Sequence, residues 1–451
     1  MSPISLKATS PKELKNASIG AEIYHRVSKR GILFPVEMLD QSFMKTSQFI
    51  FAVCQVGAEP ALKQEVTRAH PDLRFAYSRP GFVTFRSEKE KVLAPGFRLN
   101  SVLARAYGIS FGQIGGKTGA KTEEKALTAQ QRAESILAWG REFAQEASGT
   151  TGRKAALRLH VWERDRFPSG EEPLNFSYET WKNSTSTLIR RIAEEQKVLF
   201  PTPVFSPEEA PAVGDFVLNV IGIEENEWWL GLHIHSEAHS PFAGGRPGLV
   251  LPAEAPSRAY LKLEEVLLWS GAELKPGDVA LEVGSAPGGA CYSLLKRGLS
   301  VIGVDPGAMD PVVRAYTKPI IPLGSSSKVL RGLPKNWFRH YQIGIADLMI
   351  EDLPVPVDWV LLDMNVVPNI SLAAVERVIT HPRVQKRLLG VLLTVKMNRW
   401  ILVQDIPQMI ERVRAMGLTD VRAAQLSSHK QEIAIYGFTE QGKARRRHGN
   451  C

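Results

Sequence analysis

Val279-Ala280-Leu281-Glu282-Val283 runs directly into Gly284-Ser285-Ala286-Pro287-Gly288-Gly289, and an apolar stretch then continues through Leu295. The first five residues predict a buried strand. The glycines predict a tight turn into a helix, where backbone without side chains can approach a ligand closely. The next apolar run, Val301–Val304, ends in Asp305. An acid about 20 positions beyond the first glycine, closing the second strand, is placed to hydrogen-bond ribose hydroxyls.

Working outward, Trp359–Leu362, Val391–Val395 and Ile433–Phe438 are further apolar runs separated by helix-length segments. This alternation predicts an α/β fold with a doubly wound, Rossmann-like, mostly parallel sheet. The loop departs from G-x-G-x-x-G, the spacing that seats a pyrophosphate on a helix N-terminus. A nucleoside cofactor without phosphate, S-adenosylmethionine, suits it better.

Four charged residues stand at strand ends or just before the sheet. Lys262 lies in Leu261-Lys262-Leu263, Asp363 closes Val360-Leu361-Leu362-Asp363, Lys396 closes Leu393-Thr394-Val395-Lys396, and Glu432 opens the final strand. In an open α/β sheet the C-terminal strand ends line the ligand crevice. Singly, each would read as a surface charge beside a strand; four in this order point to a site. Methyl transfer from a sulfonium is an in-line displacement in which the enzyme chiefly positions the nucleophile. A ribose hydroxyl must also lose its proton, and a lysine can take it if burial and a second ammonium favour the neutral amine. Asp363 precedes Met364-Asn365 rather than Pro-Pro-Tyr, and no cysteine lies just after it. Transfer to an exocyclic amino group and covalent C5 methylation of pyrimidines are therefore disfavoured.

The front of the chain reads differently. Phe49–Val53, a helix from Pro60 to His70, and Phe82–Phe85 form a small β-α-β unit. Thr128 can cap a helix carrying Ile136, Leu137, Trp139 and Phe143; Ala156–Trp162 alternates as a strand; Tyr178–Lys197 reads as a helix; and Asp215–Ile223 with Glu227–His235 reads as a hairpin. Arg153, Lys154, Arg158, Arg164 and Arg166 are candidates either for phosphate contacts or for a solvated face. Trp228-Trp229 could stack on bases, although at a strand centre one of the two should face the core. His233, His235 and His239 lack a carboxylate or cysteine partner, so structural roles are expected and no metal. Pro and Gly crowd residues 236–256, the best linker.

A net charge of +9 favours nucleic acid as a partner through phosphate neutralisation. Three scattered cysteines exclude a disulfide scaffold and fit a reducing compartment. No apolar run is long enough for a membrane span, and the N-terminus lacks the apolar core of a secretory signal; Glu13 and Glu22 disfavour a transit peptide. A cytoplasmic protein is expected.

The tetrad Lys262, Asp363, Lys396 and Glu432, the lead-in Ser257-Arg258-Ala259-Tyr260-Leu261-Lys262-Leu263 and the loop Ala286-Pro287-Gly288-Gly289 resemble the FtsJ-type ribose 2′-O-methyltransferases. From Phe49 onward the arrangement, including Ser240-Pro241-Phe242 and Pro252–Arg258, is similar to the RlmM family of bacterial large-subunit (23S) ribosomal RNA cytidine 2′-O-methyltransferases. Composition gives a weakly structured extension (1–47), the Pro- and Gly-rich linker (239–256) and a basic, disordered tail (441–451), and between them that resemblance implies a ferredoxin-like part (48–92), a THUMP-like RNA-binding domain (93–238) and the methyltransferase domain (257–440). It implies that Lys396 accepts the proton, with Lys262, Asp363 and Glu432 as partners. It further implies that Ala259, Gly284, Ala286, Pro287, Gly288, Gly289, Asp305, Asp347 and Asp363 contact the cofactor. The chain departs from the family in carrying Ala290 where relatives have an aromatic residue, and Ala259 where relatives can carry Ser, so any contact at 259 comes from backbone. The first 47 residues have no counterpart there, and translation from Met44 is the alternative to the longer N-terminus. RNA, either 23S ribosomal RNA or its assembly precursor, is the implied partner. The alternatives are a non-catalytic RNA-binding protein with a methyltransferase-like fold, or a 2′-O-methyltransferase of another RNA. A small-molecule O-methyltransferase would not need the basic front half.

Overall fold

The structure is a computed structural model that describes residues 45–88, 91–114, 127–151, 157–173, 176–195, 210–317 and 336–448. The front extension up to residue 44 and the candidates Arg153 and Lys154 lie outside the described residues.

The front half is built on one seven-stranded sheet in the order β2-β3-β1-β4-β7-β6-β5. Its strands are β1 (Phe49–Val53), β2 (Leu73–Arg79), β3 (Phe82–Ser87), β4 (Ala106–Gln113), β5 (Leu157–Glu163), β6 (Phe216–Glu224) and β7 (Glu227–Ile234). Strand β1 pairs antiparallel with both β3 and β4, so the segments before and after residue 93 share backbone hydrogen bonds. Helices α1 (Glu59–Ala69), α2 (Ala129–Thr151) and α3 (Tyr178–Glu195) complete it. Thr128 caps α2 reciprocally: its hydroxyl accepts from the Gln131 amide, and the Gln131 side chain accepts from the Thr128 amide. The period of two in β7 buries Trp228 against Trp181, while Trp229 turns to the other face and stacks on Tyr77.

The linker is fastened. Gly244 and Gly245 take positive φ and press on Trp162 and Arg105. Arg246 donates through Nε (2.9 Å) and Nη2 (2.6 Å) to Oδ1 of Asp165, which also accepts from Arg105 Nη2 at 3.0 Å. Asp165 is fully buried; burial raises its carboxyl, but the two guanidinium groups outweigh that and hold it below the ordinary carboxylate range. Three of the arginines with candidate phosphate roles are engaged inside the half: Arg158 with Asp215, Arg164 with Glu224 and Arg166 with Glu163.

The second half is a doubly wound sheet in the order β10-β9-β8-β11-β12-β14-β13. The strands are β8 (Val279–Val283), β9 (Ser300–Val304), β10 (Phe338–Tyr341), β11 (Trp359–Asp363), β12 (Gly390–Lys396), β13 (Thr419–Ala424) and β14 (Glu432–Phe438). Strands β8 to β12 are parallel, and β14 runs antiparallel between β12 and β13. Helices α4 (Ala259–Ser270), α5 (Gly289–Lys296), α6 (Pro368–Ile379) and α7 (Ile406–Ala415) pack on it. The described part of the tail, expected to be disordered, is instead a helix, α8 (Glu440–His448). The reason is local and tertiary at once: Thr439 Oγ1 accepts from the Gly442 amide, and Arg445 reaches back to Asp278 at 3.0 Å. Among the described residues no helix is long and apolar enough to cross a membrane.

The buried triad should carry much of the junction between linker and front sheet. Removing one partner of a buried ion pair leaves uncompensated charge and costs about 3–5 kcal/mol. Asp165→Asn should lower the unfolding free energy in urea by that amount. A loss under about 1 kcal/mol, typical of a surface pair, would mean that water screens the triad.

Candidate functional site

The crevice lies along the C-terminal edge of the second sheet. Asp363 ends β11 and pairs in register with Thr394 of β12. Lys396 stands two residues beyond Thr394 and so faces the same way. Because β14 is antiparallel, its first residue rather than its last reaches this edge: Glu432 sits directly opposite Lys396. Helix α4 crosses this face and lowers Lys262 into it. Their order along the sequence pointed to one site, and the sheet brings the four side chains together.

They close into a ring. Lys262 Nζ lies 2.6 Å from Glu432 Oε1 and 3.0 Å from Asp363 Oδ2. Lys396 Nζ lies 3.3 Å from Asp363 Oδ1 and 3.6 Å from Glu432 Oε1. The side chains are mostly buried, from 6% exposed at Glu432 to 19% at Lys396. Burial pulls the Lys262 ammonium down, but Asp363 and Glu432 outweigh it and hold its proton more tightly than usual. Burial pushes Glu432 up, but Lys262, His429 and Lys396 together draw it down to about 2. Lys262 is thus bound on two sides, while Lys396 is held at longer range; Asp363 Oδ1 makes no hydrogen bond.

The glycine loop opens beside the ring. Gly284 has φ +82°, and a Cβ there would lie 2.5 Å from the Asp363 carbonyl oxygen, so only glycine lets the loop pass β11. Gly288 (φ +112°) is closed in by Val313 and Met309, and Gly289 by Ser257 and the Tyr260 amide. Ala286 and Pro287 form the loop's rim. Asp305 stands at the end of β9, as its spacing suggested, with Oδ1 accepting from the Gly307 amide at 2.6 Å. Asp347 is exposed in a 3-10 turn, Ile345–Asp347. Ala259 is the first residue of α4 and lines a small cavity of about 20 Å³ with Lys262, Glu282, Asp363 and Thr394.

Three residues of this neighbourhood escaped the sequence reading. Glu282, inside β8, is buried, and burial pushes its carboxyl up to about 8. His429 is fully buried and burial draws it down to about 4; its Nδ1 accepts from the Leu426 amide. Glu265 on α4 accepts from the Ser427 amide and hydroxyl and from the Ser428 amide. The available signal was Glu264-Glu265 inside the apolar helix Leu261–Leu268, where a buried carboxylate demands partners.

Residues 255–398 match the model of the FtsJ-like methyltransferase family, so the second half carries an FtsJ-like methyltransferase domain on a Rossmann-like sheet. The chain is similar to proteins named Ribosomal RNA large subunit methyltransferase M. It is 30% identical to that of Alkalilimnicola ehrlichii over 44% of this chain and 50% of the relative. The protein of that name from Proteus mirabilis is 26% identical over 64% of this chain and 71% of the relative, and that of Actinobacillus succinogenes is 42% identical over 17% and 22%. The chain spans about half the length of the first curated relatives it matches.

The ring makes stability depend on pH. A carboxyl depressed from 4.5 to about 2 contributes stability that is fully present above the higher value and lost as pH falls through the lower. Glu432→Gln should therefore cost about 3 kcal/mol at neutral pH. Urea titrations at decreasing pH should show the gap to the unmodified chain closing below 4.5. A gap independent of pH would show that Glu432 is not held ionised by the two lysines.

Proposed function

We propose that this protein is an S-adenosylmethionine-dependent methyltransferase of RNA that modifies a ribose 2′-hydroxyl, its substrate being a cytidine of 23S ribosomal RNA. One observation carries the reading: the closed ring of Lys262, Asp363, Lys396 and Glu432 at the crevice of an FtsJ-like domain. The names of the similar proteins support large-subunit ribosomal RNA as the substrate. The net charge of +9 supports a polyanionic partner.

The loop fits the cofactor. Gly284, Gly288 and Gly289 leave backbone without side chains where a ligand must come close, Asp305 offers carboxylate oxygens for ribose hydroxyls, the exposed Asp347 can meet the adenine, and Ala259 offers backbone. Bound there, S-adenosylmethionine supplies a methyl group already activated on a sulfonium. The chain's own residues do the rest. Asp363 and Glu432 orient both lysines. Lys262, gripped by two carboxylates, stays protonated and fixes the anionic side of the site. Lys396, at longer range from both, receives the proton of the 2′-hydroxyl. General-base transfer of this kind contributes about 10²–10⁴-fold.

The front half, 48–238, acts as the RNA-holding part, with a ferredoxin-like segment (48–92) and a THUMP-like segment (93–238) built on one sheet. The cell compartment that suits this substrate is the cytoplasm.

Lys396→Met keeps the stem and removes the amine, so it should reduce single-turnover methylation by about 10²-fold or more while sparing cofactor binding. Lys396→Arg should fail equally, because guanidinium does not surrender its proton. Near-full activity of the arginine variant would assign Lys396 to positioning. Asp305→Ala should weaken cofactor affinity about tenfold by calorimetry, the loss of a charge-assisted hydrogen bond. Mapping 2′-O-methyl positions in ribosomal RNA from cells with and without the gene tests the substrate; an unchanged map would overturn it.

A further inference from the structure

Residues 425–431 connect β13 to β14 and deliver the chain to Glu432. Almost every anchor of this loop comes from outside its own strands. The Gln425 amide donates to the carbonyl of Val102 at 2.8 Å. Gln55, buried just beyond β1, donates its side-chain amide to the carbonyls of Leu426 and Ser427, both at 3.0 Å. Arg258 Nη2 bridges the two halves, donating to Ser169 Oγ (2.7 Å) and to the Ser428 carbonyl (3.1 Å). Its guanidinium fills the space above Gly170 so closely that a Cβ there would clash. Lys430 pairs with Glu171 at 2.7 Å. From the catalytic half, Glu265, on the same helix that carries Lys262, takes the amides of Ser427 and Ser428.

The loop is therefore a clamp between front sheet and α4, and its last residue before β14, Gln431, is tied to the ring strand by the Met397 amide. Around Glu432 stand Lys262, Lys396 and the buried His429, with Asp363 across the two lysines and Glu265 near His429, so a small displacement of this carboxylate changes the balance of every charge in the ring.

We propose that the front half is built into the catalytic centre through this loop, with Gln55 as a positioning residue for Glu432. The proposal rests on the ring being the methyl-transfer site, and it gives the front half a second task beyond holding RNA. Docking of the front sheet completes the geometry of the ring, so binding and chemistry share one structural element.

The test uses the full chain carrying Gln55→Met, which keeps length and packing but cannot donate. Hydrogen exchange over residues 425–432 should rise while unfolding stays cooperative. The single-turnover rate should fall about tenfold, the size of one or two neutral hydrogen bonds, with cofactor affinity unchanged. The rising limb of the pH–rate profile should move to lower pH, because a displaced Glu432 pulls less on the protons of the ring lysines. A lower rate with an unmoved limb, or unchanged exchange in 425–432, would overturn the proposal. Glu171→Ala, at an exposed pair that cannot threaten folding, should raise exchange at the 428–432 end alone; no rise there would also count against the clamp. If the unmodified chain methylates no RNA, the ribose reading falls by itself, and the exchange measurements still decide the clamp.

Discussion

The ammonium of Lys262 sits between two carboxylates delivered by strands that are not neighbours. Asp363 comes from β11 and Glu432 from β14, with β12 between them. Without a cation at that point the two acids would face each other across a largely buried edge, where repulsion and desolvation both disfavour ionisation. With it, the two carboxylates are held on a shared cation in a cluster that fixes α4 over the sheet. The glycine loop depends on the same placement, since Gly284 threads past the backbone of Asp363.

Buried charge recurs as the structural device of this chain. Asp165 with Arg105 and Arg246 ties the linker to the front sheet, and Glu264 with Arg297 ties α4 to α5. Each is a charge cluster whose members come from distant segments, so each specifies one docking geometry. It follows that many of the chain's arginines are spent internally. Arg158, Arg164 and Arg166 hold acids of their own half, which leaves the attraction for a polyanion to other basic groups and to the overall field.

The second half was largely legible in advance. Strand runs of β8, β9, β11, β12 and β14 are apolar on both faces because a doubly wound sheet buries both, and the residues that end them become crevice residues by topology alone. Strands β10 and β13 escaped notice because they are edge strands. Phe338-Arg339-His340-Tyr341 and Thr419-Asp420-Val421-Arg422 carry the polar residues an edge exposes, and so show no apolar run.

What the sequence determined by itself is what depends on near neighbours: the glycine turn, the acid closing β9, the strand-end charges, the cap at Thr128. These follow from backbone sterics and from periods of two and 3.6, which act within a few residues. Tertiary structure alone decided the rest. It joined the segments on either side of residue 93 in one sheet, turned candidate phosphate contacts into internal ion pairs, and ordered the basic tail through Asp278. It also set Gln55 against a loop 371 positions away. Such contacts leave no local pattern, because a buried amide or guanidinium is satisfied by whichever carbonyl or carboxylate the fold delivers to it.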